Sequence, residues 1–141
     1  MIVDNIPLRL NKNKSTFQSM NLNQFRNNHH HLNNKMKRQF DGIFRNLCGA
    51  IDDECPQPPL ELTYTIFRKD KRRSDLGNIC SIIDKFVSDS LVHCGFISDD
   101  NTDIIKSIRF IDGGIDKDNP RCRLEIKSYY PETEKGEMKH R

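Results

Sequence analysis

The sequence predicts a single α/β (α+β) domain, a small mixed sheet packed against two long helices. Three patterns predict it. Leu76, Ile79, Cys80, Ile82, Ile83, Phe86, Val87, Ser90, Leu91 and Cys94 fill one half of a helical wheel, with Gly77, Asn78, Ser81, Asp84, Lys85, Ser88, Asp89 and Val92 on the other. That is an amphipathic helix of about five turns, whose apolar half needs a sheet or another helix to cover it. Leu22, Phe25, His29, Leu32, Met36, Phe40, Ile43, Phe44 and Leu47 recur at steps of three and four and predict a second long helix. Leu60 to Phe67 (LELTYTIF) alternates apolar and polar residues and is rich in β-branched and aromatic side chains, the pattern of a half-covered strand.

In chain order, Ile2 to Leu10 is expected to form a first strand, with Pro7 marking an edge or a bulge. Asn11 to Asn23 is polar and reads as a loop, and the basic helix follows from Leu22. Cys48 to Pro59 is an acidic, proline-rich connection, because proline and the residue before it disfavour helix. After the strand Leu60–Phe67 comes the basic run Arg68 to Arg73 (RKDKRR). Ser74 or Asp75 stands at the expected N-cap of the amphipathic helix, and Gly95 at its stop. Ile104 to Ile111 reads as a strand, Asp112 to Pro120 as turn chemistry, and Arg121 to Lys127 as a strand hairpin-paired with the one before. The domain is expected over residues 1–128, with a polar tail over 129–141.

Composition narrows the function classes. A chain of 141 residues with 35% apolar and 30% charged residues suits one soluble domain. No run of eighteen apolar residues exists and no signal-peptide layout is visible, so no membrane partner and a cytoplasmic location are expected, in a bacterial host cell if the chain is phage-encoded. The five cysteines (48, 55, 80, 94, 122) are odd in number and contain no C-x-x-C, which argues against a disulfide framework or a zinc site. Cys80 and Cys94 read as core filler. The net charge of +3 is too small to identify a partner, since its distribution matters more. Arg26, Lys35, Lys37 and Arg38 on the first helix, and Lys69, Lys71, Arg72 and Arg73 ahead of the second, are candidate phosphate contacts; the same charges would serve as a solvated face. His29-His30-His31 suggests a metal, but adjacent helical residues point about 100° apart and should not converge on one ion.

Asp75 precedes the amphipathic helix and Asp99-Asp100 follow it. Clustered carboxylates repel one another, and a divalent cation offsets that cost. Beside basic residues such an ion can activate water and neutralise charge during phosphodiester hydrolysis. The acids can meet only if the helix packs so that the following strand runs back toward its start.

Asp75-Leu76-Gly77-Asn78 opening a helix, the stretch SIIDKFVSDSLVHCG, and Gly95-Phe96-Ile97-Ser98-Asp99-Asp100 ahead of a strand together resemble the RusA-like Holliday junction resolvases. Ser19-Met20-Asn21, Phe25-Arg26-Asn27 and the segment Gly113 to Arg121 (GGIDKDNPR) are similar to phage-borne members, so the likeness spans most of the chain. The resemblance implies a homodimer that binds branched DNA, four-way junctions above all, and nicks two strands symmetrically with Mg²⁺ (or Mn²⁺). It makes Asp75 and Asp100 (or Asp99) the catalytic acids and Asp75, Asp99 and Asp100 the metal ligands. Gly77 stands where the family usually has a second aspartate, and Ser81 where it has a lysine. Lys85, one turn beyond Ser81, is the expected replacement for that lysine. The alternative is a protein with the same fold and basic surface but no catalysis, binding branched DNA or a host DNA-repair protein.

Overall fold

The computed structural model describes residues 1–73 and 75–131. It is a mixed α+β domain of six strands and three helices among those residues. They run β1 (Ile2–Ile6), β2 (Arg9–Asn11), β3 (Phe17–Ser19), α1 (Leu22–Asn27), α2 (His30–Gly49), β4 (Leu60–Arg68), α3 (Leu76–His93), β5 (Ile105–Ile115) and β6 (Arg121–Ser128). Four strands form one sheet in the order β1-β6-β4-β5, and β2 and β3 form a separate hairpin. The pair β4–β5 is parallel, while β6 is antiparallel to both β4 and β1.

The core lies on one face of this sheet. Alternation in β4 turns Leu60, Leu62, Tyr64 and Ile66 to the same side as Cys122, Leu124 and Ile126 of β6 and Val3 and Ile6 of β1. Met36, Phe40 and Phe44 of α2 and Ile82, Ile83, Phe86, Val87 and Leu91 of α3 are buried in the same cluster. Phe86 joins the helices, its ring centroid 5.4 Å from Phe40 and 5.3 Å edge-on from Phe25 of α1. Aromatic pairs in such geometry contribute about 1 kcal/mol each beyond their buried area.

Several expectations are corrected. The single helix from Leu22 is two. Asn28 (ψ 150°) and His29 (ψ 144°) are extended, and the Asn28 side chain exchanges hydrogen bonds with Gln18 (2.8 and 3.1 Å) and donates to Asn33 (3.1 Å). That amide network holds the break where the apolar period runs on through His29. The loop expected over Asn11 to Asn23 contains the turn and β3 of the β2–β3 hairpin and the capped start of α1, and the expected first strand divides after Ile6 into β1 and β2. β5 continues through Asp112-Gly113-Gly114 to Ile115, because Thr65 and Ile66 remain paired with Ile111 and Asp112. Gly113 also lies where a Cβ would come 2.7 Å from the Thr65 side chain and 2.8 Å from the Phe67 ring. β6 is not hairpin-paired with β5; β4 lies between them, where the fully buried Cys122, Leu124 and Ile126 require neighbours on both sides.

α3 follows the expected register with one local exception. Asp84 and Ser88, read as polar-face residues, turn inward. Ser88 is buried, and the Tyr64 hydroxyl donates a 2.6 Å hydrogen bond to Asp84. Cys48, Cys80 and Cys122 are buried, Cys55 and Cys94 half-buried, and all five are free thiols. Burial pushes the Cys80 thiol up to about 12 and the Cys48 thiol to about 11. The tail expected over 129–141 lies outside the described residues beyond Pro131. Among the described residues no helix is long and apolar enough to cross a membrane.

Candidate functional site

The connection β4–α3–β5 sets the positions of the candidate acids. β4 runs up the sheet, α3 returns antiparallel to it, and β5 runs up again beside β4. Asp75 therefore lies at the end of the sheet where β4 and β5 finish. Its carboxylate is the N-cap of α3: Oδ1 accepts from the backbone N–H of Gly77 (2.9 Å) and Asn78 (3.3 Å), and Oδ2 from Asn78 Nδ2 (3.3 Å). Gly77 packs so close that a Cβ there would come 3.2 Å from Asp75 Oδ1, so a second carboxylate at this position would adjoin the first.

Next to Asp75 is a hollow of about 310 Å³, lined by Arg68, Lys71, Arg73, Leu76 and Asp112. Arg68 ends β4 and Asp112 lies near the end of β5, and parallel pairing brings them together at 3.3 Å. The Gly114 N–H and the Arg68 guanidinium hold the Asp112 carboxyl below the usual range. Arg68 also donates to the Arg72 carbonyl (3.3 Å), which shapes the basic run. Neither Arg68 nor Asp112 is a candidate site residue in the sequence, where one opens the basic run and the other opens a turn; only parallel pairing makes them neighbours.

Asp99 and Asp100 lie at the other end. They precede β5, whose first residue Ile105 is paired with Leu60 at the start of β4, and the Asn101 carbonyl accepts from Ile104 and Ile105 at the foot of the strand. The eighteen residues of α3 lie between Asp75 and this turn, a rise of about 27 Å. The strand that runs back toward Asp75 delivers Asp112 beside it. Asp99 uses both oxygens within its turn, accepting from the Asp100 N–H (2.7 Å) and Asn101 Nδ2 (3.1 Å), and these bonds lower its pKa. Asp100 is exposed and lies near enough to Asp84 for their like charges to interact. Burial raises the Asp84 pKa first and Asp100 adds to it, against the hydrogen bonds from Tyr64 and Ser88.

Lys85 is exposed, but its ammonium lies 5.5 Å from the Phe25 ring centroid, so α1 holds it well down the helix from Asp75. Lys69, Lys71, Arg72 and Arg73 are all exposed, Lys71 and Arg73 lining the hollow, with Arg72 Nε 3.8 Å from Asp70. Arg26 is exposed on α1, and Lys35 donates to the Lys12 carbonyl of the hairpin (3.2 Å). Lys37 and Arg38 line a different groove of about 170 Å³ between α2 and α3, with Asp41, Phe86, Asp89 and His93. The two acids there offset part of their charge.

The three histidines also depart from expectation. His29 caps α2 from outside the helix, so the 100° argument does not apply to it, and its Nδ1 accepts from the His31 N–H (3.3 Å). The rings stack at centroid distances of 4.1 to 4.8 Å, with candidate ligand atoms all within 4.8 Å of one another. All three are exposed, and they lie more than forty residues before Asp75 in the chain.

Compared with known proteins, the chain matches no protein-family model and no curated sequence.

Proposed function

We propose that this protein is a Mg²⁺-dependent, structure-selective DNA endonuclease of the RusA-like kind, which acts as a homodimer on four-way or otherwise branched DNA. The observation that carries the reading is the juxtaposition at the start of α3. An N-capping aspartate beside a hollow edged by Arg68, Lys71 and Arg73 combines a carboxylate for a hard cation with donors for a phosphate. In this reading Arg68 and Arg73 orient the scissile phosphate, and Asp75 supplies the first oxygen ligand.

In this reading the second acid comes from another copy. β5 is an edge strand with no neighbour on its outer side among the described residues, and Ile108, Phe110, Ile111 and Ile115 are exposed along it. Antiparallel pairing of two such edges about a twofold axis exchanges their ends. It would carry Asp100 of the partner subunit toward Asp75, and the reverse.

A mixing experiment tests this directly. Asparagine caps helices as well as aspartate, so Asp75→Asn and Asp100→Asn should both fold. Each variant alone is expected to leave a labelled four-way junction uncut in Mg²⁺. Mixed and refolded together, they should recover single nicks at roughly a quarter of the wild-type sites, because half of the dimers are hybrids with one intact site of two. No recovery, with wild-type cleavage intact, would mean that the acids work within one chain or not at all.

One observation favours the non-catalytic alternative. With Gly77 in place of an acid, the first turn of α3 offers one carboxylate, already engaged by three donors. Tight junction binding without cleavage in Mg²⁺ or Mn²⁺ would select it, and Gly77→Asp would then be the variant to restore nicking.

A further inference from the structure

The β2–β3 hairpin opens a second site that the proposed cleavage chemistry does not use. Residues 5–40 contain no aspartate or glutamate but include Arg9, Lys12, Lys14, Arg26, Lys35, Lys37 and Arg38. On the hairpin Phe17 is 55% exposed, although Leu10 and Gln18, which flank it in the fold, are buried. The Arg9 guanidinium lies over its ring at 4.7 Å, leaving the rest of the ring in solvent. Beside Phe17 is a hollow of about 360 Å³ lined by Lys12, Phe17, Gln18, Ser19, Gln24, Asn27 and Asn28.

The lining is unusual in its chemistry. It offers one cation, one aromatic face, one hydroxyl and four side-chain amides. Gln18 and Asn28 hold each other in a reciprocal amide pair and form a fixed wall. Gln24 and Asn27, exposed on α1, make no side-chain hydrogen bond among the described residues. Free carboxamides pair a donor with an acceptor on one planar edge, which matches the polar edge of a nucleobase. An exposed aromatic ring amid cations is the stacking platform of single-strand binders.

We propose that this hollow seats one unpaired nucleobase of branched DNA: Phe17 stacks on it, Gln24 and Asn27 meet its polar edge, and Lys12 pairs with the adjoining phosphate. The inference rests on the nucleic-acid reading above and deepens it, because a base that leaves its helix at a branch point is what distinguishes a junction from plain duplex. A paired base cannot enter, since its polar edge and both faces are occupied within the duplex.

The test uses the full chain without divalent cations and two synthetic four-way junctions, one fully paired and one with a single unpaired 2-aminopurine beside the crossover. The wild type is expected to bind the second junction about tenfold more tightly and to quench its fluorescence, as stacking on one ring predicts. Phe17→Ala should abolish both the preference and the quenching while binding the paired junction within about twofold of wild type; Phe17→Tyr should restore both. Gln24→Ala with Asn27→Ala should keep the quenching and weaken the preference. Equal wild-type binding to the two junctions, or a preference unaffected by Phe17→Ala, would overturn the proposal. Once Mg²⁺ is added, cleavage of paired junctions without base preference would overturn the pocket alone. Preference and quenching, with no cleavage once Mg²⁺ is added, would uphold the pocket and remove the nuclease reading. No binding to either junction would end both.

Discussion

The two edges of the sheet are built in opposite ways. β1 is short, five residues, and its register with β6 shifts between Val3 and Ile6, where Asn5 takes a φ of 64°. Its side chains are tied down: Val3 and Ile6 are fully buried, and Asp4 accepts from Arg121 (2.9 Å) and Arg123 (3.2 Å), whose guanidiniums lie over the Phe67 ring. β5 is eleven residues long and bears four large apolar residues 38 to 47% exposed. Short, kinked and charged edges resist pairing with another chain, whereas long apolar ones invite it. On the proposed dimeric reading, association runs through β5. Its exposed residues line both faces, Ile108 and Phe110 beside Leu62 and Tyr64 and Ile111 beside Thr65, so a partner strand there would cover apolar surface on both.

The sharpest way to break the contrast is a charge on the open edge. Phe110→Lys is expected to weaken self-association at least about a hundredfold, by sedimentation or light scattering, and to abolish junction cleavage while the monomer stays folded. A variant that stays dimeric and active would move the interface elsewhere. A pair of truncations separates the edges by stability. Ile6→Ala empties a fully buried position and should cost about 3 kcal/mol in urea unfolding, whereas Ile115→Ala, 47% exposed, should cost less than about 0.5 kcal/mol under monomeric conditions. Equal losses would remove the distinction.

The smallest effect is in acid. Burial works to raise the Asp4 pKa, but the Asn5 N–H and the Arg121 and Arg123 guanidiniums outweigh it and hold it below the ordinary carboxylate value. Its stabilising contribution is thus complete above that ordinary value, near pH 4, and is lost as the pH falls through the lowered one. Asp4→Asn should remove that acid-labile part, up to about 1 kcal/mol, and leave self-association unchanged. An unaltered pH–stability curve would show that the β1 clasp contributes nothing measurable.

What the sequence revealed depended on whether local pattern or distant pairing set the structure. The helix Leu76–His93 and its Asp75 cap, and the strand Leu60–Arg68, are written in periodicity and cap chemistry, which act over a few residues. The break at Asn28–His29 is set by Gln18, ten residues earlier, so the apolar period alone extends the helix through it. Asp112-Gly113-Gly114 has turn composition yet remains in β5, because β4 supplies the ladder and Phe67 the close neighbour. Asp84 faces inward because Tyr64, on another element, offers it a hydroxyl. Asp75, Asp99 and Asp100 stand out in the sequence, but their surroundings do not: spacing along the chain does not say that β5, running beside β4, brings Asp112 against Arg68 next to Asp75.

The Asp75 carboxylate has a consequence for how the site communicates with the fold. The carboxylate that could hold a cation also anchors the opening turn, its Oδ1 the backbone N–H groups of Gly77 and Asn78 and its Oδ2 the Asn78 side chain, so occupancy and helix fraying draw on one group. Whatever draws charge from that carboxylate loosens the opening turn of α3, and whatever immobilises it tightens that turn. Local order at Gly77, the residue with the least backbone restraint of its own, thereby becomes a gauge of what is bound at Asp75.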